Sequence, residues 1–178
     1  MGRPRSVTRQ RIQDVARDLF ARQGVHRTSL QDIADKVGIT KPALYYHFTS
    51  REDLVRSILV PLIDEGEQFV TEREGSGNSD GRELLEGYFD FLHRHRRDLM
   101  LVLAELTMLV DLGLIDTVLS WRERLGKLVF GPKPTLDQAA RAVIAFGGLQ
   151  DCCLQFADTP VDELRAASVA GALAALDI

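Results

Sequence analysis

Cysteine is almost absent from this sequence. Its 178 residues include two, Cys152 and Cys153, side by side. Neighbouring residues on a helix point about 100° apart, so a bond between them would be strained. A disulfide framework is excluded, which leaves two small apolar side chains suited to a reducing compartment. A redox sensor is the other reading. Long apolar runs are also missing. The longest stretch, residues 99–114, is interrupted by Glu105 and Asp111, short of the roughly 18 uninterrupted residues of a membrane span. The basic N-terminus is not followed by the apolar segment of a secretory signal. A soluble, cytoplasmic protein with no membrane partner is therefore expected. A Gly-rich phosphate loop, a nucleophile elbow and a metal-ligand cluster are lacking too. His93 and His95 stand two apart, about 200° around a helix, and do not converge on a metal. His47 has no partner at i, i+4. The expectation is a protein that is not an enzyme and holds no cofactor and no metal. Strand-like alternation and internal repeats are missing as well, which points to an all-α fold.

Charge is present, but unevenly. The net charge is −4 overall. Residues 1–56 hold 11 Lys and Arg against 6 Asp and Glu, a net of +5, so the remainder carries −9. A basic head can attract phosphate while an acidic body resists spreading along it.

Helical periodicity runs through the chain. Ile12, Val15, Ala16, Leu19 and Phe20 form one apolar stripe, closed by Gly24. Ser29 and Asp32 have capping-box spacing, and Ile33, Ala34 and Val37 give the inner face of a second helix that Gly38 stops. Thr40 caps a third helix, with Pro42 in its first turn and Leu44 and Phe48 inward; about eight residues are expected. Ser50 and Asp53 open a fourth, in which Pro61 predicts a kink. The segment Gly75-Ser76-Gly77-Asn78-Ser79 reads as a loop. Further helices start at Asp80, at Thr135 with Gln138, and at Thr159-Pro160, with a break at Gly131-Pro132-Lys133-Pro134. About nine helices are expected, in an N-terminal three-helix head with a helix-turn-helix (1–56) and a C-terminal helical bundle (57–178).

The outward side of the third helix is unusual. Glu and Lys would populate an ordinary solvated face. Here Thr40, Lys41, Ala43, Tyr45, Tyr46 and His47 remain outside, side chains that can stack on sugars, touch a thymine methyl or donate to phosphate. Tyr45 or Tyr46 packing partly into the head is the rival reading.

Residues 8–56 resemble the DNA-binding domain of the TetR family of bacterial transcriptional regulators. The resemblance is carried by Thr28-Ser29-Leu30-Gln31-Asp32-Ile33-Ala34, Val37-Gly38-Ile39-Thr40, Ala43-Leu44-Tyr45-Tyr46-His47-Phe48 and Arg51-Glu52-Asp53-Leu54. It implies a regulator, usually a repressor, that binds double-stranded DNA as a homodimer and answers to a small-molecule effector. By that resemblance Ser29 and Gln31 open a helix whose positive end faces a phosphate. Thr40, Lys41, Ala43, Tyr45, Tyr46 and His47 lie in or along the major groove, with Lys41, Ala43 and Tyr45 at base edges and Tyr46 and His47 on phosphate. Arg51 grips phosphate where the family more often has Lys. Arg3 and Arg5 suit a narrow minor groove; a solubilising tail is the other reading.

The resemblance also implies pairing through the last two helices, residues 135–156 and 160–176. The final helix carries Ala166, Ala167, Ala170, Gly171, Ala172, Ala174 and Ala175, small enough for close approach. An effector cavity is expected around Tyr88, Phe89, Leu92, Met100, Leu103, Met108, Trp121, Leu125 and Phe146, whose character suits a mainly apolar ligand, although plain core is the competing reading for each. The basic run His93-Arg94-His95-Arg96-Arg97 reads as a solvated helix end. An activator, a co-repressor-dependent regulator and a protein-interaction module are the alternatives.

Overall fold

The computed structural model describes residues 5–76, 80–104, 110–111 and 113–178, with the side chains of Arg5, Leu103 and Ala104 outside the description. Arg3 and Met108 lie outside the described residues, as do the side chains of Arg5 and Leu103. Among the described residues nine helices and no strands are found: α1 Arg5–Gln23, α2 Leu30–Val37, α3 Lys41–Tyr45, α4 Arg51–Gly75, α5 Gly81–Arg94, α6 Arg96–Ala104, α7 Ile115–Phe130, α8 Leu136–Gln155 and α9 Val161–Leu176. The fold is all-α.

The chain forms two compact units. The first contains the residues up to Leu62 together with 97–104 of α6. Its core is Ile12, Ala16 and Phe20 of α1, Ile33, Ala34 and Val37 of α2, Leu44 and Phe48 at α3, and Leu54, Val55, Ile58 and Leu59 of α4, all buried. Glycine is required at two of its corners: Gly24 and Gly38 adopt φ of +83° and +77°, a left-handed conformation open mainly to glycine.

The second unit takes Ile63–Arg96 and the helices from α7 onward. In it α5 and α9 pack on α8, and α7 packs on α8. Leu164, Val169, Ala172 and Leu176 form the buried side of α9. The basic run at the end of α5 is more than a solvated end. The His95 ring lies 2.8 Å from the Glu65 carboxylate, and Arg96 donates to the His93 carbonyl at 2.9 Å. The second contact satisfies a carbonyl that the helix end otherwise leaves open.

Arg124 of α7 ties to α4, donating to Glu67 at 2.7 Å and to Glu74 at 2.7 Å. Burial pushes the Glu67 carboxyl up, but hydrogen bonds from Arg124 and Trp121 more than offset it, and the carboxyl titrates below its usual 4.5. The Arg124 hydrogen bond holds Glu74 below the same value. Both groups are depressed by folding, so their stabilisation is complete above the unfolded pKa of 4.5 and is lost as pH falls through the lower folded values. The urea midpoint is expected to fall on acidification through this window. In a Glu67→Gln, Glu74→Gln variant the midpoint near neutrality should be lower and its acid decline shallower. The effect will be modest because both carboxylates are well exposed to solvent.

Candidate nucleic-acid interface

The helix-turn-helix is built from short-range signals. Ser29 Oγ accepts from the Asp32 amide at 3.1 Å and Asp32 Oδ2 accepts from the Ser29 amide at 2.8 Å, a complete capping box. Hydrogen bonds from Ser29 hold the Asp32 carboxyl below its ordinary range. Gly38 then reverses the chain, its amide bonding back to Ala34 and Asp35. Thr40 caps α3 by accepting from the Ala43 amide at 3.3 Å.

The third helix has five residues rather than eight, Lys41–Tyr45, and continues as a turn. The His47 amide bonds to the Leu44 carbonyl at 2.8 Å, a tightening that closes the helix early. Leu44 and Phe48 are fully buried and hold this segment by its inner side. Thr40, Lys41 and Ala43 are exposed, as are Tyr45 at 44% and Tyr46 at 66%, so neither tyrosine packs into the head. Lys41 Nζ lies 5.9 Å from the centre of the Tyr45 ring and the Tyr46 ring meets His47 edge-on. Thr40, Lys41, Ala43, Tyr45 and Tyr46 are thus all exposed, with half-buried His47 beside Tyr46.

Three of the expected DNA-contacting side chains also make local bonds. Ser29 is committed to its cap, and Gln31 donates to Asp35 at 2.7 Å. Arg51 turns inward: its Nη1 donates to the Val25 and His26 carbonyls at 3.3 and 3.2 Å. The guanidinium therefore also staples the loop before α2 to the start of α4, a role that the resemblance does not carry. Sequence reasoning also passed over Arg9, which donates to the His47 carbonyl at 2.8 Å and covers the Phe48 ring at 4.2 Å.

Comparison with known proteins decides what this surface belongs to. Residues 12–58 match the model of bacterial regulatory proteins of the tetR family. Over 61 residues the chain is 41% identical to the HTH-type transcriptional repressor KstR2 of Rhodococcus jostii (strain RHA1), covering 34% of this chain and 30% of that protein. Over 51 residues it is 51% identical to the HTH-type transcriptional regulator AcrR of Shigella flexneri, covering 29% of this chain and 24% of that protein. The head belongs to the TetR family. The match spans less than a third of either curated relative's length. The solved structure of the ketosteroid transcriptional regulator KstR2 of Mycobacterium tuberculosis superposes with a TM-score of 0.79 at 19% identity, covering 97% of this chain and 96% of that one. At that identity the likeness speaks for the fold, which extends over the body as well as the TetR-family head.

The residues expected around an effector are placed unevenly. Tyr88, Phe89 and Leu92 on α5, Trp121 and Leu125 on α7 and Phe146 on α8 are buried in the second unit. Tyr88 meets Phe146 edge-on at 5.5 Å, and Phe91, which the sequence reading passed over, links Tyr88 to Trp121. Burial pushes the Tyr88 phenol up to about 12 despite the Arg122 guanidinium beside it. Met100 does not join this cluster: it lies on α6, in the first unit, and is half exposed. Two cavities are lined by other residues. One, of about 220 Å³, lies between α4 and α5 against Glu65, Phe69, Glu72 and Phe91. The other, of about 310 Å³, is an apolar groove between α8 and α9.

Proposed function

We propose that this chain is a sequence-specific, DNA-binding transcriptional regulator of the bacterial cytoplasm, a repressor that holds a palindromic operator as a homodimer and is released by a small, mainly apolar ligand. The observation that carries the reading is the exposed face of α3. A lysine and a solvent-facing tyrosine on a five-residue helix, with a second exposed tyrosine just after it, cost apolar exposure that a purely structural turn would avoid. The family of the head gives that face its use. We assign DNA binding to residues 1–56 and effector binding and dimerisation to 57–178. Catalysis has no place in this reading.

The groove between α8 and α9 supports the pairing. Ile144, Gly148 and Cys152 on α8 run beside Ala167, Gly171 and Ala175 on α9, two rows at four-residue spacing. Ile144 and Phe156 are exposed there. A helix pair from a second copy would cover these rows, and a two-fold protein matches operator half-sites one helical turn, about 34–36 Å, apart. An apolar effector in the body would have to open space beside Tyr88 and Phe146, which pack edge-on and line neither cavity. Helix α4 contributes residues to both compact units, so a ligand that favoured a different α4 position in the body would change head spacing and weaken DNA binding. No described helix is long and apolar enough to cross a membrane.

The test is selection of sheared host DNA by the purified protein at fixed, near-physiological salt, since phosphate binding depends strongly on salt. Enrichment of one or a few inverted repeats is expected. Failure to enrich any sequence, with and without host metabolite extract, would overturn the proposal. Enrichment only with extract would replace release by co-repression.

A further inference from the structure

Helix α1 carries a polar row at i, i+4 and i+8, and each member reaches a different element of the first unit. Arg9 donates to the His47 carbonyl at 2.8 Å and lies over the Phe48 ring at 4.2 Å. Gln13 donates to the Ser57 carbonyl at 3.1 Å and to its hydroxyl at 3.0 Å. Arg17 grips Asp98 of α6 through Nε at 2.6 Å and Nη2 at 3.3 Å, while its Nη1 holds Asp14 at 3.0 Å. Residues four apart share a helix face, so one edge of α1 is bonded in turn to the end of the recognition segment, to α4 and to α6.

The recognition segment is short. Its helix has five residues, and an isolated helix needs upwards of about 12 to persist. Leu44 and Phe48, both fully buried, hold its inner side by apolar packing, and a directional bond narrows its rotation further. A base-reading group must be held within roughly 10–20° of its working geometry. Arg9 contributes to that precision, because a hydrogen bond is directional and the guanidinium plane also packs on the ring next in sequence.

We propose that Arg9 is a positioning residue for DNA reading: it sets the rotation of the Lys41–His47 segment without itself touching DNA, and the Gln13 and Arg17–Asp98 bonds hold α1 in the register that this requires. The proposal rests on the DNA-binding reading, and it makes Asp98, on a helix beyond the head in sequence, an anchor of the reading face.

Two measurements on the full chain test it. The first is hydrogen exchange of the free protein. Arg9→Met should accelerate exchange across residues 44–48, with α2 unchanged. The second is the affinity of each variant for the selected operator and for random DNA across a salt series. Arg9→Met should lose about tenfold or more for operator, as expected for a charge-assisted hydrogen bond, with random-DNA affinity and salt slope unchanged. Arg9→Lys should recover part of the loss, since it keeps a donor and forfeits the planar stack. Asp98→Asn should shift the same two readouts in the same direction by less. Unchanged exchange would overturn the proposal whatever the DNA result. So would equal losses on operator and random DNA with the salt slope reduced by about 1, because that pattern marks a phosphate contact. If Arg9→Met does not fold, Arg9→Lys against wild type decides by the same criteria. Failure of the wild type to select any operator would defeat the proposed function, while the exchange measurement would still judge Arg9.

Discussion

Replacing Lys41 and Tyr45 together by alanine should abolish operator selection and leave dimerisation intact. Both side chains are on the exposed surface of α3, and neither holds the head together. Their one recorded mutual contact is a lysine over an aromatic ring at 5.9 Å, worth about 0.5–1 kcal/mol at an exposed site. The variant should therefore fold normally. In DNA, by contrast, each well-placed base contact contributes about 1–3 kcal/mol of discrimination. Loss of both predicts a fall of about 100-fold or more in operator affinity, toward the level of random DNA. Ala43 cannot hydrogen-bond through its side chain, so few other residues on this helix could compensate. Binding to operator and random DNA in parallel, with sedimentation for the dimer, checks the prediction. Operator binding that survives while dimerisation or partner binding is lost would favour an interaction module.

That prediction was legible in the sequence, and the reason is locality. Ser29 with Asp32, Gly38, and Thr40 with Pro42 act over three or four residues, so their spacing alone carries the cap and the turn. The outward residues of α3 followed once Leu44 and Phe48 were placed inside. The length of α3 did not follow, because periodicity cannot distinguish a continuing helix from the tight turn that the His47 amide closes. Arg9 and Arg51 were also hidden. Their partners are carbonyls 38 and up to 26 residues away, and every residue has a carbonyl, so no side-chain pattern marks them. The phosphate contact at Arg51 was implied by the resemblance, which carries nothing of its bonds to the Val25 and His26 carbonyls.

The body was less legible for a different reason. An apolar residue at helical spacing belongs to the inner face, but nothing in that spacing separates core from cavity lining or from a surface awaiting a partner. Tyr88 and Phe146 meet in the buried interior, Met100 stands half exposed in the other unit, and Ile144 is exposed beside the α8–α9 groove. All four belong to the same compositional class. Placing them needed the long-range packing that brings α5, α7 and α8 together.

Gly66→Ala is expected to destabilise the fold, against the usual rule. Within a helix, alanine is normally favoured over glycine by about 0.8–1.0 kcal/mol. Gly66 lies in the interior of α4. A methyl group added there would overlap the six-membered ring of Trp121, with several ring carbons inside any distance that a real side chain shows. The indole cannot easily retreat. It is buried, its Nε1 donates to Glu67 at 3.1 Å, and Phe91 packs edge-on against it. Overpacking of this kind costs about 1–3 kcal/mol and sometimes more, and displacing the indole also weakens its bond to Glu67. The steric cost should outweigh the gain in helix propensity. The urea midpoint should drop with little change in slope, at fixed protein concentration because any pairing would contribute to apparent stability. Gly75→Ala, at the end of the same helix with nothing near its added methyl, should be neutral or slightly stabilising. The decisive comparison is the double variant. In a Trp121→Leu background the obstruction is gone, so Gly66→Ala should reverse sign and stabilise, a coupling that a mutant cycle reads directly. A Gly66→Ala penalty that persisted unchanged without the indole would mean that the close α4–α7 contact is not its cause.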